Sequence, residues 1–229
     1  MKGARAVLEL LEGQGVDVMF GYPGGVTIPL YDELLDSSIH HVLVRHEQCA
    51  AHMADGYSRT TNRTGVCLAT SGPGATNLVT GVATAYADSS PMMVLTGQVA
   101  TAAIGNNAFQ EADIFSLMMP ITKHNYRVLK PDDLPEAIKR GMGIANSGRK
   151  GPVHIDLPVD VLRGDIDPAR LNESFPVPAP FEDLSQVLDA AKLLRDAERP
   201  VLLVGGGARW SNASSEVQRL AEMLPAPVI

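Results

Sequence analysis

One carboxylate stands where chemistry could start. Arg45-His46-Glu47-Gln48 places a single acidic side chain at the junction of a short apolar run and a helical pattern, and Thr64–Ala87 downstream carries no charge at all. A lone glutamate beside low-dielectric surroundings is open to having its protonation tuned, as a group that moves protons must be. The uncharged stretch contains Ser71-Gly72-Pro73-Gly74-Ala75-Thr76-Asn77, and a second glycine loop, Gly21-Tyr22-Pro23-Gly24-Gly25, precedes the glutamate. Taken alone, Glu47 reads as an acid favoured by a helix N-terminus, and Gly72-Pro73-Gly74 as a tight turn. A phosphate cradle is the sharper reading of that turn, but no lysine follows as in a P-loop and the dinucleotide fingerprint is incomplete.

His46-x-x-Cys49-x-x-His52 has the residue types of a metal site. On a helix, however, His46 and His52 point about 120° apart, and no fourth ligand is evident. Packing and local hydrogen bonds are the preferred reading, with no metal held by this chain.

These residues need elements to position them. Arg5–Gln14 has a helical apolar stripe, and Val18-Met19-Phe20 is a short strand ending in the first glycine loop. Helices are predicted over Ile28–Leu35, His46–Thr61 and Ala75–Tyr86, and strands over His41–Val44, Val66–Thr70, Met92–Thr96 and Val153–Leu157. His46–Thr61 has few bulky residues and is expected to pack closely. Asp133–Asn146 reads as a helix capped by Asp132 or Asp133, and Pro158 is expected to stop the strand before it. Short apolar strands alternating with helices predict an α/β fold, a doubly wound, mostly parallel sheet with helices on both faces. Ligands of such sheets sit beyond the carboxyl ends of the strands. The loops at 21–25 and 71–77 and Glu47 all follow strands, so they are expected on one edge.

With 229 residues, 45% hydrophobic and 20% charged, the chain can bury a sizeable core. A net charge of −7 argues against a nucleic-acid partner, which needs a basic face. Cys49 and Cys67 offer no disulfide framework, and Glu9 and Glu12 spoil a signal-peptide apolar region, so a cytoplasmic setting is expected. Although Thr64–Ala87 is long enough to raise the question of a membrane span, its glycines, Pro73 and Asn77 favour strand, turn and buried helix.

Beyond Val153–Leu157, Pro168, Pro176, Pro178 and Pro180 punctuate a stretch of little periodicity. The expected organisation is a first domain over 1–162, a linker over 163–180, and the start of a second domain over 181–229. The second would hold helix Leu184–Arg195, strand Val201–Val204, Gly205-Gly206-Gly207 and a helix from about Asn212. About 50 residues are too few for an independent domain of this kind.

In order along the chain, Gly21–Gly25, Arg45–Gln48, Ser71–Asn77, Phe109-Gln110-Glu111 and Thr122-Lys123-His124-Asn125 resemble the amino-terminal half of the acetolactate synthase catalytic subunits, which depend on thiamine diphosphate. The resemblance covers nearly the whole chain. It implies a pyrimidine-binding domain in which Glu47 hydrogen-bonds N1′ of the aminopyrimidine and so controls the proton that leaves C2 of the thiazolium. It also implies that Tyr22, Pro23, Gly24, Gly25, Gly72, Pro73, Asn77 and Gln110 border the cofactor. Val26, Phe109, Gln110 and Lys123 would line the substrate channel, and Ser89 and Arg149 match positions that contact flavin. Three features depart from the pattern. Val26 is commonly alanine, which would narrow the pocket; Asn106-Asn107 replace Thr-Asp; and Val159 stands where many members carry lysine.

Family members hold Mg²⁺ and the diphosphate with a Gly-Asp-Gly…Asn segment, which this sequence does not contain; Gly164-Asp165-Ile166 is the nearest string. The Mg²⁺ ligands are therefore expected outside this chain, and the 229 residues alone are expected to be an inactive part of a longer enzyme. That enzyme would join two 2-keto acids on the way to branched-chain amino acids, as a homodimer or larger homo-oligomer with FAD and a regulatory small subunit as further implied partners, and no membrane. Two alternatives remain at this point: the pyrimidine-domain subunit of a two-chain keto-acid decarboxylase, and a non-catalytic dimerisation or flavin-binding module.

Overall fold

In the computed structural model, residues 1–177 and 184–229 are described, and the chain divides into two compact units, Met1–Pro178 and Ala179–Ile229. The first is a six-stranded, wholly parallel sheet. Its strands are β1 (Val18–Gly21), β2 (His40–Leu43), β3 (Gly65–Ala69), β4 (Met92–Gln98), β5 (His124–Arg127) and β6 (Pro152–Pro158), in the spatial order β2-β1-β3-β4-β6-β5. Every residue of β3, β4 and β6 is buried. That explains why they are largely apolar, since a parallel strand covered on both faces has no solvent side to mark with polar residues. The outer strands β2 and β5 are partly exposed and correspondingly polar.

Helices close both faces. Helix α1 (Gly3–Gly13) packs Leu8 and Leu11 with Met93 and Leu95 of β4 and Val153 and Ile155 of β6. Short α2 (Ile28–Glu33) adds Leu30 to the same core. The opposite face is covered by α3 (Glu47–Thr61) and by α5 (Val79–Ala87), which follows the single turn α4 (Pro73–Thr76). It is completed by the five-residue α6 (Ile114–Met118). There Ala50, Ala51 and Ala54 meet Leu78, Val82, Met92 and Val94. The close packing expected of α3 is present: a Cβ on Gly81 of α5 would lie 2.5 Å from the Ala51 methyl.

Helix α7 (Leu134–Asn146) completes the α1 side. Asp133 sits at its cap position, as expected, although its side chain makes no capping bond. Pro158 is the last residue of β6, where the strand was expected to stop, and α8 (Val159–Arg163) follows at once. Much of the segment expected as linker lies against the first unit. Ile166 is buried and exchanges backbone hydrogen bonds with Met1, and the Lys139 ammonium donates to the Glu173 carbonyl at 2.8 Å. Residues 178–180 of the expected linker, and 181–183 of the expected second domain, lie outside the described residues.

In the second unit, α9 (Leu184–Asp196), α10 (Gly206–Trp210) and α11 (Ser214–Met223) are helical. The strand expected over Val201–Val204 reduces to one parallel bridge, Leu202 to Val228. Trp210 is the buried residue among those described here. No helix among the described residues is long and apolar enough to cross a membrane.

Candidate active site

Because all six strands run the same way, the loops that follow β1, β2, β3 and β4 emerge on one edge of the sheet. After β1, Thr27 closes the first glycine loop: its hydroxyl donates to the Gly24 carbonyl at 3.0 Å and accepts from the Gly24 amide at 3.2 Å. The loop rests on its neighbours, since a Cβ on Gly24 would collide with Thr70. Val26 turns a methyl towards Gly97 of β4, where a Cβ would lie 2.6 Å away. Part of the bulk that was expected to narrow the pocket is thus taken up against the sheet.

Glu47 is the first residue of α3 and is half-buried. His46 caps the helix, its Nδ1 accepting the Gln48 amide at 3.2 Å. That is the local role expected of it in place of metal binding. Asn77, just past α4, donates its side-chain amide to Glu47 Oε2 at 2.9 Å. A Cβ on Gly74 would come within 3.1 Å of Oε1, so the other oxygen borders the second glycine loop. The Thr70 and Ser71 side chains are buried, and neither hydroxyl has a hydrogen-bond partner among the described residues.

Gly72 joins this loop to the one after β4. Its φ of +56° suits glycine, and a Cβ there would collide with the carbonyl oxygen of Gln110. Gln110 itself has φ +54°. The 105–113 loop is folded by Glu111, whose carboxylate accepts from the amides of Gly105 and of Ala108, the latter at 2.8 Å. Those two amides hold the Glu111 carboxyl below its usual range. Phe109, at the tip, is 87% exposed.

Tyr22, Pro23, Gly24, Gly25, Val26, Glu47, Gly72, Pro73, Asn77, Phe109 and Gln110 therefore belong to loops of one edge. Lys123, Ser89 and Arg149 do not join them. Each precedes a strand, β5, β4 and β6 respectively, so each lies at the opposite, amino-terminal edge. The Lys123 ammonium donates to the carbonyls of Ile144 and Ser147 at the end of α7, and burial lowers its pKa. Within one copy it bonds the last carbonyls of α7, at the edge away from Phe109 and Gln110. Arg149 and Ser89 do meet: Arg149 Nε donates to Ser89 Oγ at 2.8 Å, and its Nη2 reaches the Ala87 carbonyl at 3.1 Å.

A buried polar network escaped sequence reading. Thr96 Oγ1 donates to Asp156 Oδ1 at 2.9 Å, so the 2.7 Å contact from His154 Nε2 must bring its own proton. Gln98 and Arg127 both donate to Asp156 Oδ2. Burial pushes His154 down to about 3, with the Arg127 charge adding to the effect, and pushes Asp156 up. The available signal was an alternation: Thr96 and Gln98, like His154 and Asp156, are two apart in otherwise apolar strands and so share a face.

Chemically, the edge offers an oriented carboxylate, two unsatisfied hydroxyls and backbone that side chains would obstruct. That set fits the polar edge of an aminopyrimidine. Comparison with known proteins agrees. Residues 1–117 match the family model described as thiamine pyrophosphate enzyme, N-terminal TPP binding domain. Residues 187–229 match that of the central domain. The chain is 54% identical to the probable acetolactate synthase large subunit of Methanocaldococcus jannaschii, covering 100% of this chain and 40% of that protein. It is 50% identical to an acetolactate synthase of Mycobacterium bovis, 38% of which is covered. It is also 46% identical to the acetolactate synthase large subunit of Corynebacterium glutamicum, 37% of which is covered. The chain thus spans about 40% of the length of the curated relatives it matches.

Proposed function

This chain belongs to the thiamine pyrophosphate enzyme family, and on that footing we propose that it forms the pyrimidine side of an acetolactate synthase. The whole protein would decarboxylate pyruvate and join the two-carbon unit to a second 2-keto acid, in the cytoplasm and in the service of branched-chain amino acids. The observation that carries this reading is Glu47 held by Asn77 at 2.9 Å on the loop edge of the sheet.

Thiamine diphosphate supplies the carbanion chemistry when bound. Glu47 would share a proton with N1′ of its pyrimidine ring, Asn77, which bonds Oε2, would leave the other carboxylate oxygen for it, and Thr70 and Ser71 offer hydroxyls that lack partners among the described residues. Phe109 and Gln110 stand over the same edge as the approach for substrate. Mg²⁺ would be held by residues outside these 229, so the chain by itself is proposed to be inactive. The Arg149–Ser89 pair is the proposed flavin contact, and a homo-oligomer with a regulatory subunit is the proposed assembly.

Glu47→Gln tests the proposal. It keeps shape and a hydrogen-bonding group but cannot share a proton in the same way. In the complete enzyme, exchange of the bound cofactor's C2 proton should slow by about 10²–10⁴ while the melting temperature holds. Exchange as fast as in the parent would refute the role given to Glu47.

A further inference from the structure

We infer that Arg127 is a positioning residue: by bridging buried Asp156 to Asp113 it fixes the 105–113 loop, and with it Gln110, against Gly72. The loop's link to the cofactor rests on the function proposed above; the bridge itself does not.

Arg127 ends β5, so its side chain reaches the loop edge from the far side of the sheet. Its Nε donates to Asp156 Oδ2 and its Nη2 to Asp113 Oδ1, each at 3.2 Å. The guanidinium also lies 5.0 Å from the centre of the Phe115 ring. Asp156 is a fixed anchor, fully buried and accepting from Thr96 and Gln98 as well. Asp113 belongs to the loop side: it caps α6 and closes the loop.

Both ends of the segment 99–113 are tied to this one carboxylate. At its start, Gln98 holds Asp156 with Nε2 and accepts the Val99 amide with Oε1 at 2.9 Å. At its end, Arg127 makes the second tie. Residues 99–113 contain Glu111 and Asp113 and no lysine or arginine. Arg127 supplies their countercharge, and its field contributes to the low pKa of both. A planar fork reaches two carboxylates on separate elements from two fixed nitrogens, Nε and Nη2 here; an ammonium on a flexible stem offers its donors from a single point and does not span both.

The test uses the complete enzyme with Arg127→Lys, which leaves a positive charge for Asp156, and Asp113→Asn, which keeps a helix cap but drops the charge. Backbone amide exchange over 105–113 should rise about tenfold in Arg127→Lys, the equivalent of one charge-assisted hydrogen bond. It should rise about threefold in Asp113→Asn, because Asp113 is itself largely exposed, with α3 amides unchanged in both. Thiamine diphosphate affinity should fall in the same order while kcat at saturation stays near the parent's, a split that loss of global stability would not give. Unchanged exchange over 105–113 in both variants overturns the bridge, and a loosened loop with unchanged cofactor affinity overturns its link to the site. If the cofactor reading itself is wrong, the parent fails to bind thiamine diphosphate, whatever the loop amides do.

Discussion

Asn77 reaches back across 30 positions to donate to Glu47, Nδ2 to Oε2 at 2.9 Å. One residue opens the helix after β2 and the other follows the turn after β3, so the contact locks two adjacent loops through the carboxylate itself. Removing the amide in Asn77→Ala should cost about tenfold in kcat/KM, the usual worth of a hydrogen bond to a charged group. Asn77→Asp should cost more, because it sets a like charge against Glu47. Steady-state kinetics beside thermal melting decide it: a fall in melting temperature with unchanged kinetics makes Asn77 structural only.

Gly72→Ala should separate fold from site. Its backbone, φ +56° with ψ −117°, is sparsely populated by side-chain-bearing residues and costs an alanine about 1–3 kcal/mol, and the new methyl meets the Gln110 carbonyl. The cheapest relief is for the exposed loop to move, not the buried strand end. Far-UV circular dichroism should be retained while thiamine diphosphate binding falls at least tenfold; binding equal to the parent's would refute the contact.

His154 gives the chain an acid sensitivity of its own. Its folded value, about 3, lies below the ordinary 6.5, so its contribution to stability is complete above pH 6.5 and is lost as pH falls towards 3. His41 and His124 are also lowered by burial and act in the same direction. Asp156, raised by burial, opposes them as it takes up a proton above its ordinary 3.8, in the acid part of the window. Between pH 6.5 and 5 the His154 loss approaches but cannot exceed about 1.4 kcal/mol per pH unit. His154→Leu should flatten the decline measured by urea unfolding at pH 7, 6 and 5. Parallel declines in parent and variant would assign the sensitivity elsewhere.

Gly81→Ala should destabilise the first unit by about 1–3 kcal/mol, the usual range for overpacking. The added methyl would sit 2.5 Å from that of Ala51, between two helices that have no softer side chain to yield there. Denaturant unfolding measures it, and a neutral result would mean that α3 and α5 can part at little cost.

The sequence made some of this legible for definite reasons. β3 and β4 stand out because burial on both faces keeps them largely apolar, and the second glycine loop stands out because it follows β3. β5 hid because His124-Asn125-Tyr126-Arg127 is a polar edge strand. With β5 unseen, nothing placed Lys123 at the amino-terminal edge. The network around Asp156 depends on the pairing of Thr96 with Asp156 across β4 and β6, a register that residues 60 apart do not announce. Val201–Val204 carries a strand's composition, yet it pairs only at Leu202, because pairing is set by the partner and not by the run itself.

β4 runs from Met92 to Gln98, a rise of about 20 Å at roughly 3.3 Å per residue. Ser89 and Arg149 lie before the sheet and Glu47 and Asn77 beyond it, so the slab works as an insulator between two addresses. A molecule bound at one edge of one copy would lie about that far from a molecule bound at the other, with packed strands between them.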